Sequence, residues 1–222
     1  MPPYLRQIPV GPMENFCYLV GDPAVKKCWI VDPAWDVKTA LDIAAADGYT
    51  VDGALISHSH FDHCNAVESL LADRNIPLYV QPRELEYLEK GAPRGLFWDL
   101  PKDHVRPVKG GDVLSLGATN LTVLHTPGHT PGSQCFLVDG RLFSGDTLFL
   151  GTCGRCDLPG GNPHELFETL NGVLAKLPDD TVLFPGHNYS SRGTQSTLRE
   201  EKKENRFFSV RRLDDFLEKL GF

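Results

Sequence analysis

The sequence predicts an α+β protein in which a strand-rich core is flanked by helices on both outer faces. Three observations carry this expectation. Short apolar or β-branched runs are interleaved with amphipathic helical stretches in mixed order. The 222 residues are 41% hydrophobic, enough for one large buried core. No Gly/Ser-rich linker or charge block divides the chain, so residues 1–222 read as a single domain.

Strands are expected over Tyr4–Val10, Asn15–Val20 and Cys28–Val31, bounded by Gly11-Pro12, Gly21-Asp22-Pro23 and Asp32-Pro33. A helix over Val37–Ala46 places Leu41, Ala44 and Ala45 on one face and stops at Gly48. Ala54-Leu55-Ile56 is a strand ending at Ser57, followed by a helix from Asn65 to Arg74 with Asn65 as its N-cap. Pro77–Gln81 reads as a strand and Arg83–Lys90 as a short helix. Residues 91–103 are irregular, and Phe97, Trp98 and Leu100 there suit either a flap over a substrate or a satellite cluster on the surface. Strands follow at Leu121–His125, Gln134–Val138 and Arg141–Ser144, the last two joined by Asp139-Gly140, a two-residue hairpin signal. After a Gly-rich loop over 151–162, a helix over Pro163–Lys176 buries Leu166, Phe167, Leu170, Val173 and Leu174. Thr181–Phe184 is the last expected strand, and Gln195–Asn205 and Leu213–Leu220 are terminal helices.

The net charge of −7 argues against a general nucleic-acid or membrane-surface binder. No apolar stretch approaches the ~18 residues of a membrane span. The start, Met1-Pro2-Pro3-Tyr4-Leu5-Arg6, lacks the apolar core of a secretory signal, so a cytoplasmic location is expected. The six cysteines are then free thiols, with Cys17, Cys28 and Cys135 in the core. Cys153-Gly154-Arg155-Cys156 has CxxC spacing but no second pair, and reads as an active-site loop. Cys64 directly follows a histidine cluster and is expected to be prone to oxidation.

That cluster is His58-Ser59-His60-Phe61-Asp62-His63. Three imidazoles and a carboxylate at a strand end repel one another once any imidazole is protonated. A dication removes the conflict, because it takes neutral imidazoles and ionised carboxylates as ligands. Four donors so close together do not easily wrap one tetrahedral ion, which hints at two metals. Three more candidates follow strands in Gly- or Pro-rich turns: His129 in Thr126-Pro127-Gly128-His129-Thr130, Asp146 in Ser144-Gly145-Asp146-Thr147, and His187 in Pro185-Gly186-His187. Five His and two Asp are enough for two ions with a shared ligand. Asp32, just after a strand, is either a partner for a ligating imidazole or a turn residue. His104, His125 and His164 read as structural, with His125 also able to orient a neighbour.

HxHxDH, TPGHT, SGDTLF and PGH in this order resemble the metallo-β-lactamase superfamily across nearly the whole chain. The resemblance implies a four-layer αββα sandwich, the metallo-β-lactamase fold, with the site at one edge of two sheets. It implies one metal on His58, His60 and His129, a second on Asp62, His63 and His187, and Asp146 bridging both. Asp62 and Asp146 are then the catalytic carboxylates. The cofactors are two divalent ions, zinc in the first place, with iron or manganese compatible.

Within the superfamily, Ser144–Phe149 followed by Cys153-Gly154-Arg155 is similar to glyoxalase II, which hydrolyses hydroxyacyl-glutathione thioesters with a bridging hydroxide. Arg155 and Tyr189 are then the residues that hold the glutathione moiety, although Arg155 also suits a loop-stabilising ion pair. The partner implied is a small thioester, with no nucleic acid and no membrane. Glyoxalase II carries a sizeable helical C-terminal region, and only 35 residues follow His187 here. Persulfide dioxygenases share the motifs but use one iron, held by two histidines and a carboxylate; Gly154–Asp157 and Ser196–Asn205 are similar to that group. In that case the iron sits on His58, His129 and Asp146. The zinc β-lactamases usually carry Cys or Ser at the position of Asp146. The acidic balance disfavours a ribonuclease of this superfamily.

Overall fold

Alternation along the strands sorts the apolar side chains of this protein into three seams. In β2 (Asn15–Asp22), Cys17 and Leu19 face one way, while Phe16, Tyr18 and Val20 face the other. In β3 (Lys27–Val31), Cys28 and Ile30 oppose Trp29 and Val31 in the same manner. Every residue of β2 is buried, so both of its faces are covered. The computed structural model describes Met1–Phe222 and resolves these seams into four layers.

The first sheet runs β1-β2-β3-β4-β5-β6, with β1 at Tyr4–Val10, β4 at Thr50–Leu55, β5 at Leu78–Val80 and β6 at Val105–Pro107. Its β3 to β6 are parallel, which requires crossovers. Helices α1 (Val37–Ala46), α2 (Phe61–Cys64), α3 (Val67–Leu71) and α4 (Pro82–Glu89) lie in those crossovers and cover the outer face. The second sheet begins with β7 (Val113–Leu116), β8 (Thr119–His125), β9 (Gln134–Val138) and β10 (Arg141–Gly145). A separate two-stranded hairpin follows, β11 (Leu148–Phe149) and β12 (Thr152–Cys153). The second sheet then ends with β13 (Val182–Pro185) beside β10 and β14 (Ser196–Thr197) at the edge. Helices α5 (Pro163–Glu168), α6 (Leu198–Glu204) and α7 (Leu213–Leu220) cover its outer face with Leu166, Leu198 and Phe216. Between the sheets, Tyr18, Trp29, Phe136, Phe143 and Phe184 fill the central seam. This is the αββα sandwich. No helix is long and apolar enough to cross a membrane.

Most expected elements are present with shifted ends. The hairpin at Asp139-Gly140 has positive φ at both residues, 44° and 72°, as a tight two-residue turn between twisted strands requires. Four expectations are corrected. The buried face of α1 is Val37, Ala40 and Ala44, and Ala45 is exposed. Asn65 is not an N-cap: its Oδ1 accepts from the Trp35 amide and its own amide closes α2, so the expected 65–74 helix shortens to α3. The stretch 163–176 is α-helical only to Glu168, then makes a π turn over Thr169–Val173 and a 3-10 turn. There Thr169 donates to the Pro127 carbonyl, and Gly172 is a weak helix former. The helix expected from Gln195 starts only at Leu198, because Thr197 and Glu200 form a capping box. Strands β6, β7, β11, β12 and β14 had no clear sequence signal, being short or exposed.

One carboxylate ties the two sheets together at the end remote from the histidine cluster. Asp22 Oδ1 accepts from the Ala24 and Val25 amides, and its Oδ2 from the Ala118 and Thr119 amides and the Thr119 hydroxyl. The Val25 amide leads the donors that hold the Asp22 carboxyl down to about 2. Its folded pKa lies below the ~3.9 of an unfolded Asp, so its contribution is full above that value and is lost as pH falls through about 2. Asp22→Asn is expected to lower the Tm at pH 6 by on the order of 5 °C. Thermal melts of both proteins from pH 6 down to pH 2.5 are expected to show the gap narrowing; a gap independent of pH would contradict the assignment.

Candidate metal centre

The seven sequence-predicted donors all lie at C-terminal ends of strands on one rim. His58 and His60 follow β4, Asp62 and His63 open α2, His129 follows β8, Asp146 follows β10 and His187 follows β13. The rim is stitched by backbone bonds between sheets: Gln134 N donates to Ser57 O at 2.9 Å and Phe16 N to Gly186 O at 2.8 Å. Gly145 turns the chain at φ 48°, and a Cβ there would strike the Ser57 hydroxyl. A Cβ on Gly154 would strike the Asp146 carbonyl oxygen, so both glycines permit the approach that delivers Asp146.

Donor atoms of His58, His60 and His129 lie within 4.8 Å of one another, as do those of Asp62, His63 and His187, and those of His58, His63 and Asp146. All but Asp146 are buried, and Asp146 is nearly so.

The outward nitrogens fix the tautomers. His129 Nδ1 donates to the Arg155 carbonyl at 2.6 Å, and His187 Nδ1 to the Met13 carbonyl at 2.8 Å. His63 Nδ1 donates to Asp32 Oδ2 at 3.0 Å. Ser57 gives its proton to Asp32 at 2.6 Å and therefore accepts from His58 Nδ1. Carbonyls and carboxylates only accept, so each neutral ring turns a lone pair on Nε2 inward. Two such nitrogens, of His63 and His187, face each other at 3.1 Å. His60 Nδ1 lies 3.0 Å from the Nε2 atoms of both His58 and His129, and its own Nε2 is buried without a partner. Asp146 Oδ1 is likewise buried without a hydrogen bond. With the rings neutral, protein atoms alone leave the clustered nitrogens, His60 Nδ1 among them, and Asp146 Oδ1 unanswered, and divalent ions answer them. The donor set fits the group.

Charge follows the same division. Burial, then the neighbouring imidazoles, keep His58 well below the usual histidine range, and burial with His129 holds His60 down to about 3. Both are neutral, as ligands must be. Burial opposes charge on His187 too, but Asp146 and Asp62 outweigh it and raise the ring to about 9. Burial also opposes ionisation of Asp62, yet His187, His63 and Asn15 together hold its carboxyl well below the carboxylate range. Without metal, protons on His63 and His187 supply the positive charge that the two carboxylates demand.

A family profile described as the Metallo-beta-lactamase superfamily matches residues 10–187, from the end of β1 to the last of the seven donors. The chain belongs to this superfamily. A Bacillus subtilis (strain 168) relative, the probable metallo-hydrolase YqgX, is 32% identical over 214 residues, which cover 92% of this chain and 97% of that one. The probable polyketide biosynthesis zinc-dependent hydrolase BaeB of Bacillus velezensis is 26% identical, covering 92% of this chain and 86% of that protein. Among solved structures, ETHE1 from Myxococcus xanthus is similar at TM-score 0.84 and 29% identity, over 98% of this chain and 90% of that one. TTHA1623 in a di-iron-bound form is similar at TM-score 0.74 and 33% identity, over 91% and 99%. The chain is thus a metallo-hydrolase-like member of the superfamily.

Other predicted residues sort as follows. Arg155 is exposed and pairs with Asp157 through two bonds of 2.8 Å, while its backbone carbonyl holds His129. Tyr189 is exposed and stacks on His187 at 4.5 Å. Phe97 and Leu100 are buried; Leu96 and Phe97, the latter 4.6 Å from the His60 ring, make the 91–103 segment part of the site's wall, while Leu100 packs into the core under the outer helices. Two backbone bonds pin the segment to the histidine loop, from the Phe61 amide to Leu96 O and from the Trp98 amide to Ser59 O. Cys64 is fully buried and donates to the His60 carbonyl, which corrects its expected exposure to oxidation. His125 bonds to the Pro131 carbonyl and His104 to the Ile76 carbonyl; neither meets the donors. Three residues that support the site escaped sequence reasoning. Asn15 donates to Asp62 Oδ2 at 2.9 Å, Ser57 bridges Asp32 and His58, and Glu84 accepts from Ser59, Thr130 and Gly132. An apolar helix face interrupted by a glutamate was the one available signal for Glu84.

Asp32→Asn is expected to keep the fold and to weaken metal affinity by roughly 10–100-fold. It replaces an acceptor of the His63 Nδ1 proton and of the Ser57 amide and hydroxyl. Competition against a chelator, with metal counted per chain, reads the change; an unchanged affinity would remove Asp32 from the site.

Proposed function

We propose that this protein is a metal-dependent thioester hydrolase of the glyoxalase II type, acting in the cytoplasm as one domain on a hydroxyacyl-glutathione or related thioester. One observation carries the reading. The second donor set is held from outside as completely as the first: His63 by Asp32, His187 by Met13 O and Asp62 by Asn15. In this reading His58, His60 and His129 hold one ion, Asp62, His63 and His187 the other, and Asp146 is common to both. Two divalent ions there, zinc first, with iron or manganese equally suited to nitrogen and oxygen donors, would supply an activated water and an electrophile for a carbonyl oxygen. The relatives named as hydrolases support the hydrolytic class.

The chain's own residues complete the chemistry. The donors form the floor of a cavity of about 390 Å³ walled by Phe61, Leu96, Phe149 and Leu158, which exclude water from the reacting carbonyl. In hydrolysis the acyl C–S bond breaks and a C–O bond forms to the oxygen of one water. The products are a carboxylate, a thiol and one proton. Thr152 and Tyr189 are the only hydroxyls lining the cavity. Burial, then Asp146 and Asp62, push Tyr189 up to about 12, so it stays a phenol whose proton is available to a bound substrate. A thiolate leaves with little acid help, which suits such a site. Arg155 and Tyr189, at the mouth, hold the carrier thiol. The partner is a small molecule, with neither nucleic acid nor membrane involved.

A second reading, an iron persulfide dioxygenase oxidising glutathione persulfide with O₂, is favoured by the convergence of His58, His129 and Asp146. Asp146 Oδ2 lies 3.6 Å from His129 Nε2, and its carboxylate groups with His58. These give a two-histidine, one-carboxylate set.

Metal analysis is expected to find about two ions per chain, with thiol release from lactoylglutathione and no oxygen uptake on glutathione persulfide. One iron per chain with the opposite pair of results would transfer the protein to the second reading. Asp146→Ala is expected to reduce hydrolysis to background. Arg155→Ala leaves the backbone carbonyl on His129 in place, and is expected to raise KM for glutathione thioesters more than for small thioesters. Equal effects on both would make Arg155 a loop residue only.

A further inference from the structure

The walls above the donors are apolar to an unusual degree for a site built around charge. Apart from the donors, the cavity is lined by Met13, Phe61, Leu96, Phe149, Leu158 and Cys153, and its polar groups are the Thr152 and Tyr189 hydroxyls and Arg155. Large apolar side chains are rarely exposed here, yet Met13 at 38% and Tyr189 at 55% exposure both stand at this mouth. An exposed apolar rim continuous with a concave site marks an apolar ligand. The single cation among the walls, Arg155, stands at the mouth and pairs with Asp157 through two bonds.

A hydroxyl on the acyl group finds little here. The Thr152 carbonyl accepts from Asn205, which leaves the Thr152 side chain as the one wall group, below the rim, free to meet it. A substrate hydroxyl moved from water into this wall forfeits hydrogen bonds that the wall does not return. A methylene moved the same way gains burial.

We propose that the cleft selects thioesters of short-to-medium unsubstituted acyl chains over hydroxyacyl ones, with the chain lying against Phe61, Leu96, Phe149 and Leu158. This rests on the thioester reading above and, within it, puts an unsubstituted acyl group in place of the hydroxyacyl one. Hydrolysis of such a substrate takes up one water, breaks the C–S bond and yields a fatty carboxylate, the free thiol and a proton.

The test has two arms, both with the metal-loaded protein. In the first, kcat/KM is measured for acetyl, propanoyl, butanoyl, hexanoyl and lactoyl thioesters on glutathione and on N-acetylcysteamine. It is expected to rise on the order of 3-fold per methylene to hexanoyl, with propanoyl preferred to its hydroxylated counterpart lactoyl. In the second, calorimetry compares S-methyl- and S-hexylglutathione, thioethers that no hydrolase cleaves. The hexyl compound is expected to bind at least ~30-fold tighter. Leu158→Asn, at the half-buried edge of the wall, is expected to cut the hexanoyl-to-acetyl ratio by about 10-fold in both carriers. Thioesters cleaved with a flat series, or with lactoyl preferred, would overturn the proposal and leave the hydrolase standing. Thioethers ranked by length, with no thioester cleaved on either carrier, would keep the apolar cleft and sink the hydrolase. Equal affinity of the two thioethers, or none for either, would overturn the proposal outright.

Discussion

The inward lone pairs are the constraint on which the rest of this structure depends. Five imidazoles and two carboxylates cannot be gathered in a buried place unless something positive stands among them. The chain commits four of the five rings by occupying the outer nitrogen, with a backbone carbonyl for His129 and His187 and with the Asp32–Ser57 pair for His63 and His58. Those outer partners come from loops after β3, β4 and β12 and from the turn before β2, so the site is assembled only when both sheets are in place. The sandwich is therefore part of the coordination chemistry.

Asp32 shows how tightly the two are joined. It sits at φ 51°, in the left-handed region, directly after β3. It accepts from the Ser57 amide and hydroxyl and from His63. One carboxylate thus ends a strand, fixes the start of the His58–His63 loop, and sets the tautomer of one ring directly and of another through Ser57. Glu84 does comparable work on the other side. Fully buried, it joins Ser59 to Thr130 and Gly132, holding the two loops that carry His60 and His129 at a fixed separation.

The donors were legible in the sequence because each lies within a few residues of a strand end, and a strand end with a following glycine is a local pattern. The fold class was legible for the same reason: β2, β3, β9 and β10 alternate in small and bulky apolar residues that are buried on both faces. What stayed hidden was set by partners distant in sequence. Asn15 meets Asp62 across 47 positions, and Tyr18 reaches Pro185 across 167. Asn65, a good cap by its chemistry, is taken by Trp35, and no reading of the residues around it shows that competition. The edge strands β6, β7 and β14 gain their pairing from a neighbour already formed, so three or four residues of ordinary composition suffice.

The C-terminal segment has a part in the site although it contributes no donor. Glu201 is fully buried and accepts from the Gly151 amide at 2.7 Å, from Asn205 at 2.7 Å and from Arg192 at 2.9 Å. Asn205 in turn donates to the Phe149 and Thr152 carbonyls and accepts from the Phe207 and Phe208 amides. These contacts clamp the β11–β12 hairpin, a pair of two-residue strands that would not hold its shape alone. Phe149, Thr152 and Cys153 of that hairpin are cavity wall. A buried carboxylate with every acceptor position answered costs little, whereas the same carboxylate with one donor removed is expensive. The wall and the terminal helices therefore hold or fail together. The task of α6 and the residues after it is to brace, from behind, the hairpin that supplies part of the apolar wall.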